Sequence, residues 1–202
     1  MKTWSLLIVA GSVALCLATV GLQGGPVPTA SLLSHPNPPA RISSARAYAQ
    51  ESSPTVQYTL KFSTYFGGSG SELLRGIASD GAGNIYVVGT AGSADFPRTP
   101  GTIAGQSKDA GALVAKFSPE GRLIWSRVVG DRNSYFYTVR VDREGSVFVA
   151  GRMCSGFPTT QGAFQPATRH PCGFIGKMDA DGSRWLWASY VGTGYAVRDM
   201  AI

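Results

Sequence analysis

The sequence predicts an all-β repeat protein, with blades of four antiparallel strands, on three observations. The same motifs recur in the same order at a spacing near 62 residues, since Asp142 follows Asp80 by 142 − 80 = 62. Apolar runs are short and bounded by Gly, Asp, Asn and Pro, the punctuation of strands and turns. Glycine is abundant, with 26 copies in 202 residues against an average usage of roughly 7%. An apolar content of 44% is ordinary for a chain that buries a core.

The N-terminus stands apart from this pattern. Lys2 precedes an uncharged run from Thr3 to Gln23, apolar from Leu6 to Leu22. A positive start and an apolar heart are the layout of an export signal, so residues 1–22 are expected to be a signal peptide or a retained signal-anchor. Ala47-Tyr48-Ala49 has the small-x-small cleavage pattern but lies far from the apolar run. Ala18-Thr19-Val20 and Val20-Gly21-Leu22 are better placed and chemically poorer. Cys16 imitates a lipidation site, but the bulky Leu15 before it argues against one. Residues 23–57 are rich in Pro, Ser and Ala without hydrophobic period and read as a linker, His35 included.

From residue 58 the repeats begin. Asp80-Gly81-Ala82-Gly83-Asn84-Ile85-Tyr86-Val87-Val88-Gly89 returns as Asp142-Arg143-Glu144-Gly145-Ser146-Val147-Phe148-Val149-Ala150-Gly151. Phe96-Pro97-Arg98-Thr99 returns as Phe157-Pro158-Thr159-Thr160, and Leu113-Val114-Ala115-Lys116-Phe117 as Phe174-Ile175-Gly176-Lys177-Met178. Leu123-Ile124-Trp125 returns as Trp185-Leu186-Trp187, and Leu74 to Ala78 as Val197 to Ala201. Repeat 1 is therefore set at 72–130, repeat 2 at 131–192 and the start of a third at 193–202.

Strands are expected near 74–79, 84–89, 112–117 and 122–129 in the first repeat, with turns at 80–84, 118–121 and 179–182. Nearly continuous apolar strands imply burial on both sheet faces, as blades around an axis require. Four strands and one long loop per repeat fit a β-propeller blade. Residues 58–71 align with the last strand of a blade and are placed to close a ring. Two blades cannot form a ring of four to eight, so the reading is an incomplete propeller fragment.

Several linked motifs carry a family resemblance over about residues 58–202. Ser63-Thr64-Tyr65-Phe66-Gly67-Gly68, the Gly83 to Gly89 turn and strand, Asp95-Phe96-Pro97 and Val114-Ala115-Lys116-Phe117 together resemble the bacterial SBBP β-propeller repeat. The second repeat departs from it at Arg152-Met153-Cys154-Ser155 and at Val128-Val129-Gly130 before it. The resemblance implies an exported or cell-surface propeller and supplies no catalytic residue.

Candidate chemistry is sparse. Cys154 and Cys172 flank the long loop of repeat 2 and have no counterparts in repeat 1, and in an exported chain such a pair reads as a disulfide. Free thiols, a metal or a nucleophile are the alternatives. His170 with two cysteines gives only three zinc ligands. Asp179-Ala180-Asp181-Gly182-Ser183 starts like a calcium loop but lacks its later ligands. Trp185 and Trp187 are expected on one strand face, as blade packing or as a sugar platform. No serine elbow, catalytic base or marked carboxylate pair is present, so no catalytic residue, cofactor or metal is expected.

The net charge of +6 falls to 15 − 12 = +3 from Glu51 onward, with no basic run, which argues against nucleic acid. A membrane is a partner only if the N-terminal segment is retained. The expected function is a secreted or cell-surface, non-enzymatic scaffold or binding module for a protein or carbohydrate ligand. The rival is an exported propeller enzyme, for example polysaccharide-active, with its catalytic residues in other blades. A sensor ectodomain is a third.

Overall fold

The computed structural model describes residues 4–8, 14–21, 57–192 and 195–202, with side chains from residue 59. All described regular structure is β: β1 (Trp4–Ile8), β2 (Ala14–Gly21), β3 (Gln57–Tyr65), β4 (Glu72–Ser79), β5 (Ile85–Ala91), β6 (Gly111–Phe117), β7 (Leu123–Val129), β8 (Tyr135–Val141), β9 (Val147–Met153), β10 (Cys172–Met178) and β11 (Trp185–Val191). β4-β5-β6-β7 and β8-β9-β10-β11 are two antiparallel four-stranded meanders. They are the two expected blades, with strand limits within about two residues of expectation.

Both faces of the first blade are buried along its central strands, β5 and β6, because these are apolar at nearly every position. Alternate side chains go to opposite faces of a strand. Ile85, Val87 and Ala91 pack with Leu113, Ala115 and Phe66 in one layer. Tyr86 and Val88 pack with Val114, Trp125 and most of the second blade in the other. The layer between the blades is thus continuous from Tyr86 to Tyr190. Inter-blade strand contact is concentrated where β8 meets β4 and β5, so the sheets converge on their first strands.

The Phe-Pro-x-Thr motif explains itself here. Phe96 and Phe157 are buried, and each threonine ties the long loop to the last strand. Thr99 Oγ1 accepts from the Ser126 amide at 3.0 Å, and Thr160 Oγ1 from the Ala188 amide at 2.9 Å. The turns are set as expected: Asp80 Oδ1 accepts from the Asn84 amide, Asp142 Oδ1 from the Ser146 amide and Asp179 Oδ1 from the Ser183 amide. The 179–183 loop is therefore a hairpin turn.

Three expectations are corrected. The strand of residues 58–71 does form, but β3 pairs antiparallel with β2 in a sheet of order β1-β2-β3 rather than with a blade. Its open edge has taken an available partner. Val197 to Ile202 form no strand. A strand needs a neighbour to ladder with, and among the described residues the one backbone hydrogen bond that ties this segment to a strand runs from the Val197 amide to Gly151 O at 2.9 Å.

The third correction concerns the two tryptophans. Trp185 pairs with Met178 and Trp187 with Lys177, so the bulge at Leu186 turns them to opposite faces. The same bulge at Ile124 separates Leu123 from Trp125 in the first blade. An extra residue in one strand defeats the period of two.

No described helix is long and apolar enough to cross a membrane. The export-signal expectation for residues 1–22 lies partly outside the described residues. The linker expectation for 23–57 lies almost wholly outside them.

Candidate functional site

The joint between the two repeats is held by specific side-chain contacts. Trp125, at the outer strand of blade 1, reaches across to the 179–182 turn of blade 2. Its Nε1 donates to Ala180 O at 3.1 Å. Its ring covers Gly182, where an added Cβ would lie 2.9–3.0 Å from ring atoms. Gly182 has φ +62°, a conformation that also favours glycine. One repeat earlier, Phe62 covers Gly121, φ +84°, in the same way. An aromatic clasp over a turn glycine thus joins successive units.

Around Trp125 the first blade supplies a set of partners. Tyr86 stands edge-on to it at 6.3 Å, and Lys116 Nζ lies 5.2 Å from the Tyr86 ring. The Tyr86 hydroxyl donates to Asp80 Oδ2 at 3.0 Å. Burial, Asp80's hydrogen bond and its charge all push the Tyr86 phenol well above its usual value. Arg127, 4% exposed, sits 5.9 Å from the Trp125 ring and donates from Nε to Gly182 O at 2.8 Å. Burial lowers its pKa, against the raising effect of Asp179.

The second blade carries the same set on its far face, uncovered. Phe148 stands edge-on to Trp187 at 6.5 Å, and Lys177 Nζ lies 4.8 Å from the Phe148 ring. Phe148 has no hydroxyl, and Lys177 Nζ instead reaches Asp142 Oδ2 at 2.9 Å. Trp187 is 37% exposed where Trp125 is 5% exposed.

The remaining sequence candidates are separated. Trp185 is buried, edge-on to Phe157 and Phe174, with its Nε1 donating to Ala104 O at 3.0 Å. It therefore offers no open ring to a sugar; Trp187 does. A cleft of about 470 Å³ lies between loop residues 102–104, 158–160 and 183–185. Its one charged lining residue is Arg184, and no His, Cys, Asp or Glu lines it.

Cys172 is buried opposite Met153, and Cys154 lies one residue past β9. Both are free thiols in this structure. Burial, the leading cause, raises the Cys154 pKa. The loop is pinned by Tyr190: its hydroxyl donates to Cys154 O at 2.6 Å and accepts from the Phe157 amide at 2.7 Å. Burial pushes the Tyr190 phenol up to about 12. His170 is exposed, and no group of three metal-ligating side chains occurs among the described residues.

The glycine clasp and Arg127 were missed in the sequence. A single arginine inside the apolar Leu123 to Val129 strand was the available signal, because an unpaired charge is rarely buried.

Residues 61–97 match the SBBP family model, a β-propeller repeat. That span runs from the Phe62 clasp through β4 and β5 to Phe96-Pro97, so it crosses one joint between units. No curated protein matches the chain.

Proposed function

We propose that this β-propeller repeat protein is an exported, non-enzymatic scaffold or binding module, working at the cell surface or outside the cell. The observation that carries the reading is the open face of blade 2. Trp187, Phe148, Lys177 and Asp142 repeat there the set with which blade 1 seats blade 2, and the occupant that fits is another repeat of the same fold. Apolar area left open in this way drives association. The charged and apolar N-terminal segment supports export.

Light scattering and urea unfolding of residues 50–202 test the scaffold reading. That segment is expected to associate, Trp187→Lys to weaken association, and appended copies of residues 131–192 to restore a monomer. A cooperative, monomeric 50–202 that ignores Trp187→Lys would refute it. Export is checked by fractionation of the full precursor and N-terminal sequencing, and an intact precursor soluble in the cytosol sinks that part.

A further inference from the structure

The first strands of the two blades, where the sheets converge, carry a second arrangement that the packing does not use. Each is bulged at the same place. The ladder skips Arg75 between Leu74 and Gly76, and Tyr137 between Phe136 and Thr138. A bulge re-aims the side chain of its extra residue. Arg198 occupies the corresponding place one repeat later, 198 − 137 = 61 residues on.

These three side chains stack. Arg75 Cζ lies 4.8 Å from the Tyr137 ring centroid and 5.9 Å from that of Tyr135, and Arg198 Cζ lies 4.2 Å from Tyr137. A stacked guanidinium spends its face on the ring and keeps its N–H edge for a planar acceptor. Arg75 and Arg198 are exposed, and neither has an ion pair or hydrogen bond among the described residues. The neighbouring Arg140 is already committed, with Nη2 on Asp199 Oδ1 at 2.8 Å and Nη1 on Thr138 Oγ1 at 2.9 Å. Asp199 Oδ1 also accepts from Thr138 Oγ1 and the Met200 amide. Two like charges are thus held against one ring, with no carboxylate paired to either among the described residues.

We propose that this Arg75–Tyr137–Arg198 stack, with Tyr135 beside it, binds an acidic glycan through its carboxylates, a polyuronate chain being the ligand class. The guanidinium edges of Arg75 and Arg198 take carboxylates as bidentate partners. The half-buried Tyr135 ring offers an apolar face to the sugar. A peptide strand adding to the sheet would need an unbroken ladder edge, and both strands are bulged at this place. The site deepens the binding-module reading and rests on it.

Calorimetric titration of the full protein with oligogalacturonate tests the proposal. The expected result is binding weakened by rising salt, and weakened about tenfold or more by Arg75→Gln or Arg198→Gln, the loss of a charge-assisted hydrogen bond. Arg75→Lys keeps the charge without the fork and is expected to fall between. Unchanged circular dichroism and thermal midpoint certify each variant, and Arg198→Gln, outside any strand, stands in if Arg75→Gln misfolds. No binding, equal binding of a neutral oligosaccharide, insensitivity to both arginine variants, or preferential binding of polyglutamate would each overturn it. Arg75→Gln and Arg198→Gln leave the Trp187 face intact and are expected to leave the association of residues 50–202 unchanged, so the two readings fail separately.

Discussion

The covered face of blade 1 and the open face of blade 2 carry the same aromatic and charged positions, yet differ in what finishes them. In blade 1 the set ends in Arg127, whose buried guanidinium bonds the next blade's turn at Gly182 O. At the matching place blade 2 has Ser189, whose hydroxyl turns back to Tyr190 O at 2.8 Å. The apolar clasp is therefore a property of the repeat, while the polar lock belongs to one joint.

The largest test of that contrast is the pair Trp125→Ala and Trp187→Ala. Removing the buried Trp125 opens a cavity and orphans Ala180 O, an expected cost of about 3–5 kcal/mol. Trp187 is over one-third exposed, so its removal is expected to cost less than about 1 kcal/mol. Urea unfolding of the two variants measures both, and equal costs would mean that the clasp does not hold the blades together.

A second contrast lies in the long loops. The first is held by Asp95, which accepts from the Ser69 amide and hydroxyl, and by Arg98 on Ala94 O. The second relies on Tyr190 and has two thiols near its ends. Oxidation of Cys154 and Cys172 in exported material is expected to close the 17 intervening residues (172 − 154 − 1) and add about 3 kcal/mol. Alkylation without reductant followed by mass spectrometry decides it: protection of both thiols is expected, and full labelling of both would leave the loop to Tyr190 alone.

These contrasts also show what the residues revealed by themselves. The four strands per repeat were legible because apolar runs and Asp/Gly turns are local signals, and burial on both faces followed from the absence of alternation in Ile85 to Val88. The faces of Trp185 and Trp187 were not legible. The bulge at Leu186 depends on how β10 and β11 are registered, and no local residue announces that. The Arg75–Tyr137–Arg198 stack was hidden for the same reason, since an arginine and a tyrosine at one repeat position look like divergence until the bulges bring them together.

Smaller effects should follow at the turn glycines. Gly182→Ala meets both a strained φ of +62° and the Trp125 ring, and is expected to cost about 1–3 kcal/mol. Gly156→Ala meets a φ of +78° with nothing within 4 Å, so only the backbone strain of about 1 kcal/mol remains. Thermal unfolding of the two separates the clasp from the conformational cost; matching losses would remove the ring from the account.

The smallest effect distinguishes how each blade satisfies its turn aspartate. Burial raises the Asp80 pKa, but hydrogen bonds from Asn84, Tyr86 and Ala82 outweigh it and hold the carboxyl below its usual range. Burial likewise opposes ionisation of Asp142, and there Lys177 and Ser146 outweigh it. A carboxyl depressed in the folded state stabilises fully above its unfolded value of about 3.9, and that stabilisation is lost as pH falls through the folded value. Lys177→Met should therefore lower stability at neutral pH by under about 1 kcal/mol, the range of a partly exposed pair. It should also flatten the loss of stability between about pH 5 and 3, because Asp142 then has less depression to lose. Phe148→Tyr supplies the hydroxyl that Tyr86 gives Asp80. Added to Lys177→Met, it should restore the slope, whereas Tyr86→Phe in blade 1 should flatten it. Urea midpoints across that pH range give the four slopes, and a double variant no steeper than Lys177→Met would mean that the two blades do not exchange a phenol for an ammonium at this position.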